Sequence, residues 1–170
     1  MNRSSKLKLL AIAWPWLLAT QAIAHGSSTH EAANSEEIIE TAFGRTGNAA
    51  AATRKVEVIM SDQLRFEPAQ ISVRQGETVA LIVKNKGNML HELVLGTQEG
   101  LQEHAAMMKK FPHMEHDEPF IAHVPPGKTA HIIWQFDQAG TVHFGCLIPG
   151  HYEGGMAGAI AVESIRKETP

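Results

Sequence analysis

From Lys55 onward the chain is a succession of short β-branched segments separated by turn residues, and this pattern limits the fold more than any other feature. Segments of this length, punctuated by Gly, Pro, Asn and Asp, are typical of β-strands. The predicted strands are Val56–Met60, Ile71–Val73, Thr78–Asn85, His91–Gly96, His131–Phe136, Thr141–Cys146 and Ala157–Glu163. Seven strands in roughly 110 residues predict an all-β fold, an antiparallel Greek-key β-sandwich.

Side-chain alternation along these predicted strands indicates which residues face the core. Cys146 has the parity of the apolar residues in its strand, and Met156 shares its face with Ile160. His91 has the parity of the leucines that follow it, whereas His143 has the opposite parity to Cys146 and should point away. The pattern therefore places a thiol, a thioether and an imidazole on inward faces, each at the end of a strand.

The single cysteine of the chain opens the loop GCLIPGHYEGGM, residues 145–156, and it cannot form an internal disulfide. Cys146, His151 and Met156 form a C-x4-H-x4-M motif in this loop. A thiolate and an imidazole are strong ligands of soft and borderline metals, and a thioether suits copper rather than zinc. The motif therefore predicts a copper site. A buried apolar cysteine and a zinc site are the alternatives.

A blue-copper site has two histidines and one cysteine in a trigonal plane, with a distant axial methionine. The motif lacks one in-plane ligand. His91 is the best candidate for it, because it begins a predicted strand and faces inward. The alternative for His91 is a core histidine whose hydrogen bonds are satisfied within the protein.

The first 24 residues have the parts of a secretory signal peptide. Basic residues precede the apolar run Leu9–Leu18, and a small-x-small motif ends at Ala24. The apolar run is shorter than the ~20 residues that span a bilayer, and no later segment reaches that length. We therefore expect cleavage before His25, export, and no membrane span in the mature chain. A short membrane anchor is the alternative.

Two further segments follow the signal peptide. Residues 25–54 are rich in Ala, Ser, Gly and Glu, which predicts a flexible N-terminal arm, and residues 55–165 carry the strands of a single domain. The signal segment contains three basic and no acidic residues, so its removal changes the formal net charge from −3 to −6. An acidic chain is a poor nucleic-acid binder, so no nucleic-acid partner is expected.

From about Val56 to Glu163 the sequence resembles the cupredoxins, the family of plastocyanin, azurin and rusticyanin. The spacing of the C-x4-H-x4-M loop is similar to that of rusticyanin, and RFEPAQISVRQGETVALIVKN, followed by a strand that opens with His91, resembles the first half of the same fold. The segments FGRTG and HELVLGT and the His- and Met-rich stretch resemble periplasmic cupredoxins linked to copper tolerance, such as those of the CopI type.

The resemblance implies one type 1 copper per chain, with His91, Cys146 and His151 as in-plane ligands and Met156 as the axial ligand. It also implies a periplasmic location and a route for electrons through His151 on its exposed loop. Several cupredoxins have Asn after the first ligand histidine, where it supports the cysteine by hydrogen bonding. Glu92 stands at that position here, so this role is not carried over.

An insertion at about residues 100–122 interrupts the strand pattern. Leu101–Lys110 fits a helix that Pro112 should end. The metal-binding side chains of the insertion are His104, Met107, Met108, His113, Met114 and His116. They suggest additional copper binding; alternatively, the adjacent methionines pack the helix onto the sandwich and the histidines are solvated. His25, at the predicted mature N-terminus, is a further candidate ligand, with His30 nearby.

Three functions are compatible with such a site. The first is copper homeostasis and tolerance through a redox-active copper centre, which we favour. The second is a dedicated single-electron carrier between periplasmic redox partner proteins. The third is a component of a cupredoxin-type oxidase or reductase. Enzymes of that kind need a second domain and additional histidine pairs, and this sequence has no HxH motif, so we expect the chain not to be an enzyme.

Overall fold

The structure, a computed structural model, describes residues 38–112, 114 and 117–165. The predicted signal peptide, His25, His30, His113 and His116 lie outside the described residues. The strands are β1 Glu40–Thr41, β2 Gly44–Thr46, β3 Arg54–Ser61, β4 Arg65–Glu67, β5 Gln70–Arg74, β6 Glu77–Asn85, β7 His91–Gly96, β8 Ile121–Val124, β9 Thr129–Phe136, β10 Gly140–Gly145 and β11 Ala157–Glu163. A 3-10 turn, Ala49–Ala51, and one helix, α1 Gln98–Lys110, complete the elements of this part of the chain.

The strands form two sheets, with the orders β1-β2-β9-β6-β3-β4 and β5-β11-β10-β7-β8. This arrangement confirms the predicted all-β sandwich with a short helical insertion. Most neighbouring strands are antiparallel, but β3 with β6 and β5 with β11 are parallel pairs. The purely antiparallel pairing that the sequence suggested is therefore too simple, because alternation within a strand does not specify the direction of its partner.

The core lies between the two sheets, as the alternation predicted. In β6, Val79, Leu81 and Val83 are fully buried, and in β9 the same holds for Trp134 and Phe136. Burying an aliphatic or aromatic side chain of this size stabilises the folded state by about 1.5–3 kcal/mol. This core holds the sheets that carry the predicted metal ligands in a defined register.

Helix α1 covers the outer face of one sheet. It begins at the cap residue Thr97, whose Oγ1 accepts a hydrogen bond from Gly100 N at 3.0 Å, and it ends before Pro112, as expected. Leu101, Ala105 and Met108 are its buried residues. Strand β7 is consequently buried on both faces along its whole length. Among the described residues, no helix combines the length and apolar character needed to cross a membrane.

Residues 40–46 differ from the prediction of a flexible N-terminal arm, which is wrong for this stretch. Strand β2 pairs with β9, and Phe43 stacks on Trp134 with ring centroids 5.5 Å apart. The Nε1–H of Trp134 also donates to the carbonyl oxygen of Phe43 at 3.1 Å. Strands of two or three residues are too short to show periodicity, and the small residues around Phe43 concealed this aromatic anchor.

Candidate metal centre

The loop before β7 is held by a buried amide, and this fixes where His91 begins the strand. Asn85, only 2% exposed, donates from Nδ2 to the carbonyl oxygens of Met89 at 2.7 Å and Val124 at 2.8 Å. Its Oδ1 accepts from Gly87 N at 2.8 Å. The side chain of Asn85 therefore takes part in three hydrogen bonds that close the loop and set the position of His91, the first predicted ligand.

The ring of His91 is oriented by Asp62. Its Nε2 lies 3.1 Å from Oδ1 of Asp62. The backbone N–H of Asn88, together with hydrogen bonds from His91 and Met89, lowers the pKa of Asp62 to about 2. A carboxylate only accepts hydrogen bonds, so this contact selects the tautomer of the neutral ring in which Nε2 carries the proton and Nδ1 has the lone pair. Carboxylates orient metal-binding histidines in this way.

Backbone hydrogen bonds also fold the loop that carries the other predicted ligands. Cys146 N donates to the carbonyl oxygen of Met156 at 3.1 Å, and Met156 N donates to that of His151 at 3.0 Å. His151 N donates to Ile148 O at 2.9 Å. The loop is therefore a closed turn whose two ends are joined, which brings residues of the C-x4-H-x4-M motif to one place.

Three of the four predicted ligand side chains converge. The donor atoms of His91, Cys146 and His151 lie within 4.8 Å of one another. Sγ of Cys146 is 3.3 Å from Nδ1 of His151, and the two imidazole centroids are 5.0 Å apart. Met156 is fully buried in the same core cluster as Cys146. His143 pairs with neighbouring strands away from this cluster, as its parity predicted.

The donor chemistry fits a copper ion. Nδ1 of His91 is buried and has no hydrogen-bond partner among the described residues. Leaving such an atom unsatisfied costs about 1–3 kcal/mol, a penalty that coordination to a metal removes. Burial lowers the pKa of His151, as does the nearby His91, which keeps the ring in the neutral form that ligates. One thiol and two imidazoles suit copper.

The surroundings of the Cys146 sulfur determine whether it carries a proton. Burial raises the pKa of this thiol to about 12, and the negative charge of Glu92 acts in the same direction. Backbone hydrogen bonds from Glu92 and Ile148 act in the opposite direction and favour the thiolate. Without a metal the buried sulfur therefore keeps its proton, and a bound cation would have to displace it.

This raised pKa predicts slow alkylation of the metal-free protein. A shift from ~8.5 in the unfolded chain to about 12 leaves about three-thousandfold less thiolate at neutral pH. Iodoacetamide should therefore label Cys146 far more slowly in the folded apoprotein than in the urea-unfolded chain, as mass spectrometry can measure. Equal rates would contradict the described burial. The free energy of unfolding of the apoprotein should also fall as the pH rises from ~8.5 towards 12.

Glu92 is a second carboxylate at the site, and it is only 1% exposed. Its Oε1 accepts from the backbone N–H of Leu147 at 2.8 Å, and its Oε2 lies 3.1 Å from Nδ1 of His123. Sequence reasoning noted Glu92 only as a departure from a family pattern and missed Asp62 altogether. Both act on ligand segments far away in sequence, so no local spacing could have revealed them.

The methionines of the insertion differ in their exposure to solvent. Met108 is 5% exposed and packs with Leu101 against the sheet, which agrees with the packing alternative for this residue. Met107 is 45% exposed and Met114 is 39% exposed. Within the described part of the chain, the group of His, Cys and acidic residues that could hold a metal is the one formed by His91, Cys146 and His151.

Comparisons with known proteins agree with this geometry. The family described as copper binding proteins, plastocyanin/azurin family, matches residues 52–163. The copper-resistant cuproprotein CopI of Rubrivivax gelatinosus is 44% identical over 164 residues, covering 95% of this chain and 98% of the relative. The copper-resistant cuproprotein CopI of Pseudomonas aeruginosa is 34% identical over 151 residues, covering 72% of this chain and 83% of the relative.

Solved structures show the same fold. Auracyanin from Roseiflexus castenholzii superposes with a TM-score of 0.56 at 23% identity, covering 66% of this chain and 98% of that protein. Auracyanin B superposes with a TM-score of 0.59 at 22% identity, covering 75% of this chain and 96% of that protein. The donor set and the family match together support one copper ion per chain. This chain belongs to the plastocyanin/azurin family of copper-binding proteins, the cupredoxins.

Proposed function

We propose that this chain is an exported, periplasmic copper protein that acts in copper homeostasis and tolerance. Its centre would be a redox-active type 1 site in which His91, Cys146, His151 and Met156 hold the copper. The convergence of the first three donor atoms within 4.8 Å is the observation that carries this proposal. The names of the relatives, copper-resistant cuproproteins, support the role in tolerance. Residues 1–24 would be the signal peptide.

The protein contributes a site of fixed shape. Copper, when bound, supplies one-electron chemistry by alternating between its cupric and cuprous forms. Cys146 would bind copper as the thiolate, and the hydrogen bond from Nε2 of His91 to Asp62 leaves Nδ1 of the neutral ring available as a donor atom. The backbone hydrogen bonds of the closed loop hold His151 and Met156 in place. Because these groups are already positioned, a change of oxidation state requires little rearrangement of the protein.

His151 offers a route between the site and the surface. This partly exposed side chain lines an open groove of about 800 Å³, together with Met89, Leu90, Ile148 and Pro149. An apolar rim around a ligand histidine suits brief contact with a redox partner protein. This feature also favours the second candidate function, a single-electron carrier. Neither candidate requires the chain to transform a substrate.

Complementation of a strain that lacks the chain tests the proposed function. We expect the wild-type protein, recovered from the periplasmic fraction without residues 1–24, to restore growth on copper. Because Cys146 is the proposed thiolate ligand, Cys146→Ser should protect no better than an empty vector, whereas Gln102→Ala, a change on the exposed face of α1, should protect fully. Full protection by Cys146→Ser would show that copper tolerance does not depend on this site. Undiminished growth without the chain would favour the carrier function.

A further inference from the structure

Two carboxylates flank the proposed copper ligands: Asp62 contacts His91, and Glu92 contacts the loop that begins at Cys146. We propose that Asp62 and Glu92 are positioning residues that fix His91 and the Cys146 loop and bias the bound copper towards its cupric state. This inference rests on the proposed ligand set. It adds two residues, outside the C-x4-H-x4-M motif, whose charge sets the redox preference of the centre.

Asp62 acts on the His91 side of the site. Its Oδ1 accepts from His91 Nε2 at 3.1 Å and from Met89 N at 3.2 Å, and its Oδ2 accepts from Asn88 N at 2.8 Å. One side chain therefore ties the ligand ring to the loop that precedes it. A carboxylate on the far nitrogen of an imidazole makes the ring a stronger donor, which favours the more highly charged ion. The side chain of Asp62 is 33% exposed, so solvent reduces this effect without abolishing it.

Glu92 acts on the Cys146 side. Its Oε1 accepts from Leu147 N at 2.8 Å, and Leu147 directly follows Cys146. The backbone N–H of Glu92 forms a hydrogen bond with the sulfur of Cys146 itself. The same residue thus contacts the ligand loop twice, once through the backbone and once through the carboxylate. At 1% exposure its carboxylate is shielded from water, so its interaction with a nearby cation is stronger than at the surface.

His123 anchors the second oxygen of Glu92. Its Nδ1 lies 3.1 Å from Oε2, and its side chain is 40% exposed in the lining of the groove that His151 also lines. The carboxylate is therefore held at both oxygens, one by a backbone amide and one by an imidazole. A buried carboxylate with two fixed partners keeps one orientation, which is what a positioning residue requires.

A purely structural role makes a different prediction from a role that includes the charge. Gln at position 92 retains the size of the side chain and an oxygen that can accept from Leu147 N, but it removes the charge. Asn at position 62 retains an oxygen for His91 but loses the acceptor that faces Asn88 N. If the carboxylates only support the loops, Glu92→Gln should leave the redox preference unchanged.

The test is voltammetry of the copper-loaded protein at one pH and one ionic strength. We expect Asp62→Asn and Glu92→Gln each to raise the reduction potential and the double variant to raise it further. Glu163→Gln removes an exposed carboxylate at the end of β11 and should leave the potential unchanged. Glu92→Ala, which also removes the hydrogen bond to Leu147, should lose bound copper more readily than Glu92→Gln. Potentials equal to wild type in both Asp62→Asn and Glu92→Gln would overturn the proposal.

A second measurement needs no copper. In the apoprotein, nitrogen chemical shifts of His91 should show the proton on Nε2 in the wild type. Asp62→Asn should give a mixture of tautomers, because an amide can present either its oxygen or its NH2 group to the ring. A proton on Nδ1 in the wild type would overturn the role of Asp62 even if a variant failed to load metal. A wild-type protein that binds copper without the visible band of a thiolate centre would instead overturn the proposed ligand set.

Discussion

Cys146→Ser is expected to abolish the intense visible absorption of the copper-loaded protein. That absorption requires electron transfer from a thiolate sulfur to cupric copper, and Cys146 is the single cysteine of the chain. A serine hydroxyl at the same position is a harder and far weaker donor, which stays protonated at neutral pH. Absorption spectroscopy after titration with copper sulfate, together with metal analysis, measures the loss.

A matched control separates this loss from a general defect. His143 lies on β10 near Cys146 in sequence but outside the ligand cluster, so His143→Gln should retain both the band and the copper. Circular dichroism should show that Cys146→Ser keeps its β-sheet content, because serine is close to cysteine in size. A Cys146→Ser protein with an undiminished band would show that another group supplies the colour.

Trp134→Ala should destabilise the folded chain by about 3–5 kcal/mol. Trp134 is fully buried, with 0% of its surface accessible to solvent. It stacks on Phe43, contacts Phe120 edge-on with centroids 5.9 Å apart, and donates from Nε1 to Phe43 O at 3.1 Å. Alanine would leave a cavity and an unsatisfied carbonyl oxygen. Denaturant unfolding of the apoprotein gives the change in free energy.

Trp134→Phe is the graded control for this experiment. It keeps an aromatic ring in the core but removes the hydrogen bond to Phe43, so it should cost about 1–2 kcal/mol, less than the alanine variant. A loss below about 1 kcal/mol for Trp134→Ala would contradict the packing described for a core residue of this size. The same result would undermine the docking of residues 40–46 on β9.

Residues 40–46, which were predicted to belong to a flexible arm, show where composition misleads. The stretch is short and contains several small residues, which favours a linker when only the sequence is considered. Its attachment depends on Phe43 meeting Trp134, 91 residues later in the chain. A contact across that distance exists only once β2 and β9 lie side by side, so no window of local sequence contains it.

Local patterns were sufficient wherever the physical cause was local. Alternation with a period of two identified the buried faces of β6 and β9, because successive side chains on a strand point to opposite sides. The C-x4-H-x4-M spacing predicted a metal-binding loop, since a thiol, an imidazole and a thioether are all ligands that suit copper. Both inferences need only residues that are neighbours along the chain.

The tertiary structure alone decided what surrounds those residues. Asp62 is 29 residues from His91, and Glu92 is 55 residues from Leu147, yet each pair forms a hydrogen bond. Strand β7 is buried on both faces because α1 packs over it, which its own sequence does not indicate. The sequence determined the sandwich and the candidate donors. Sheet order and helix packing determined their partners, because hydrogen bonds and charges act through space and the folded chain sets those distances.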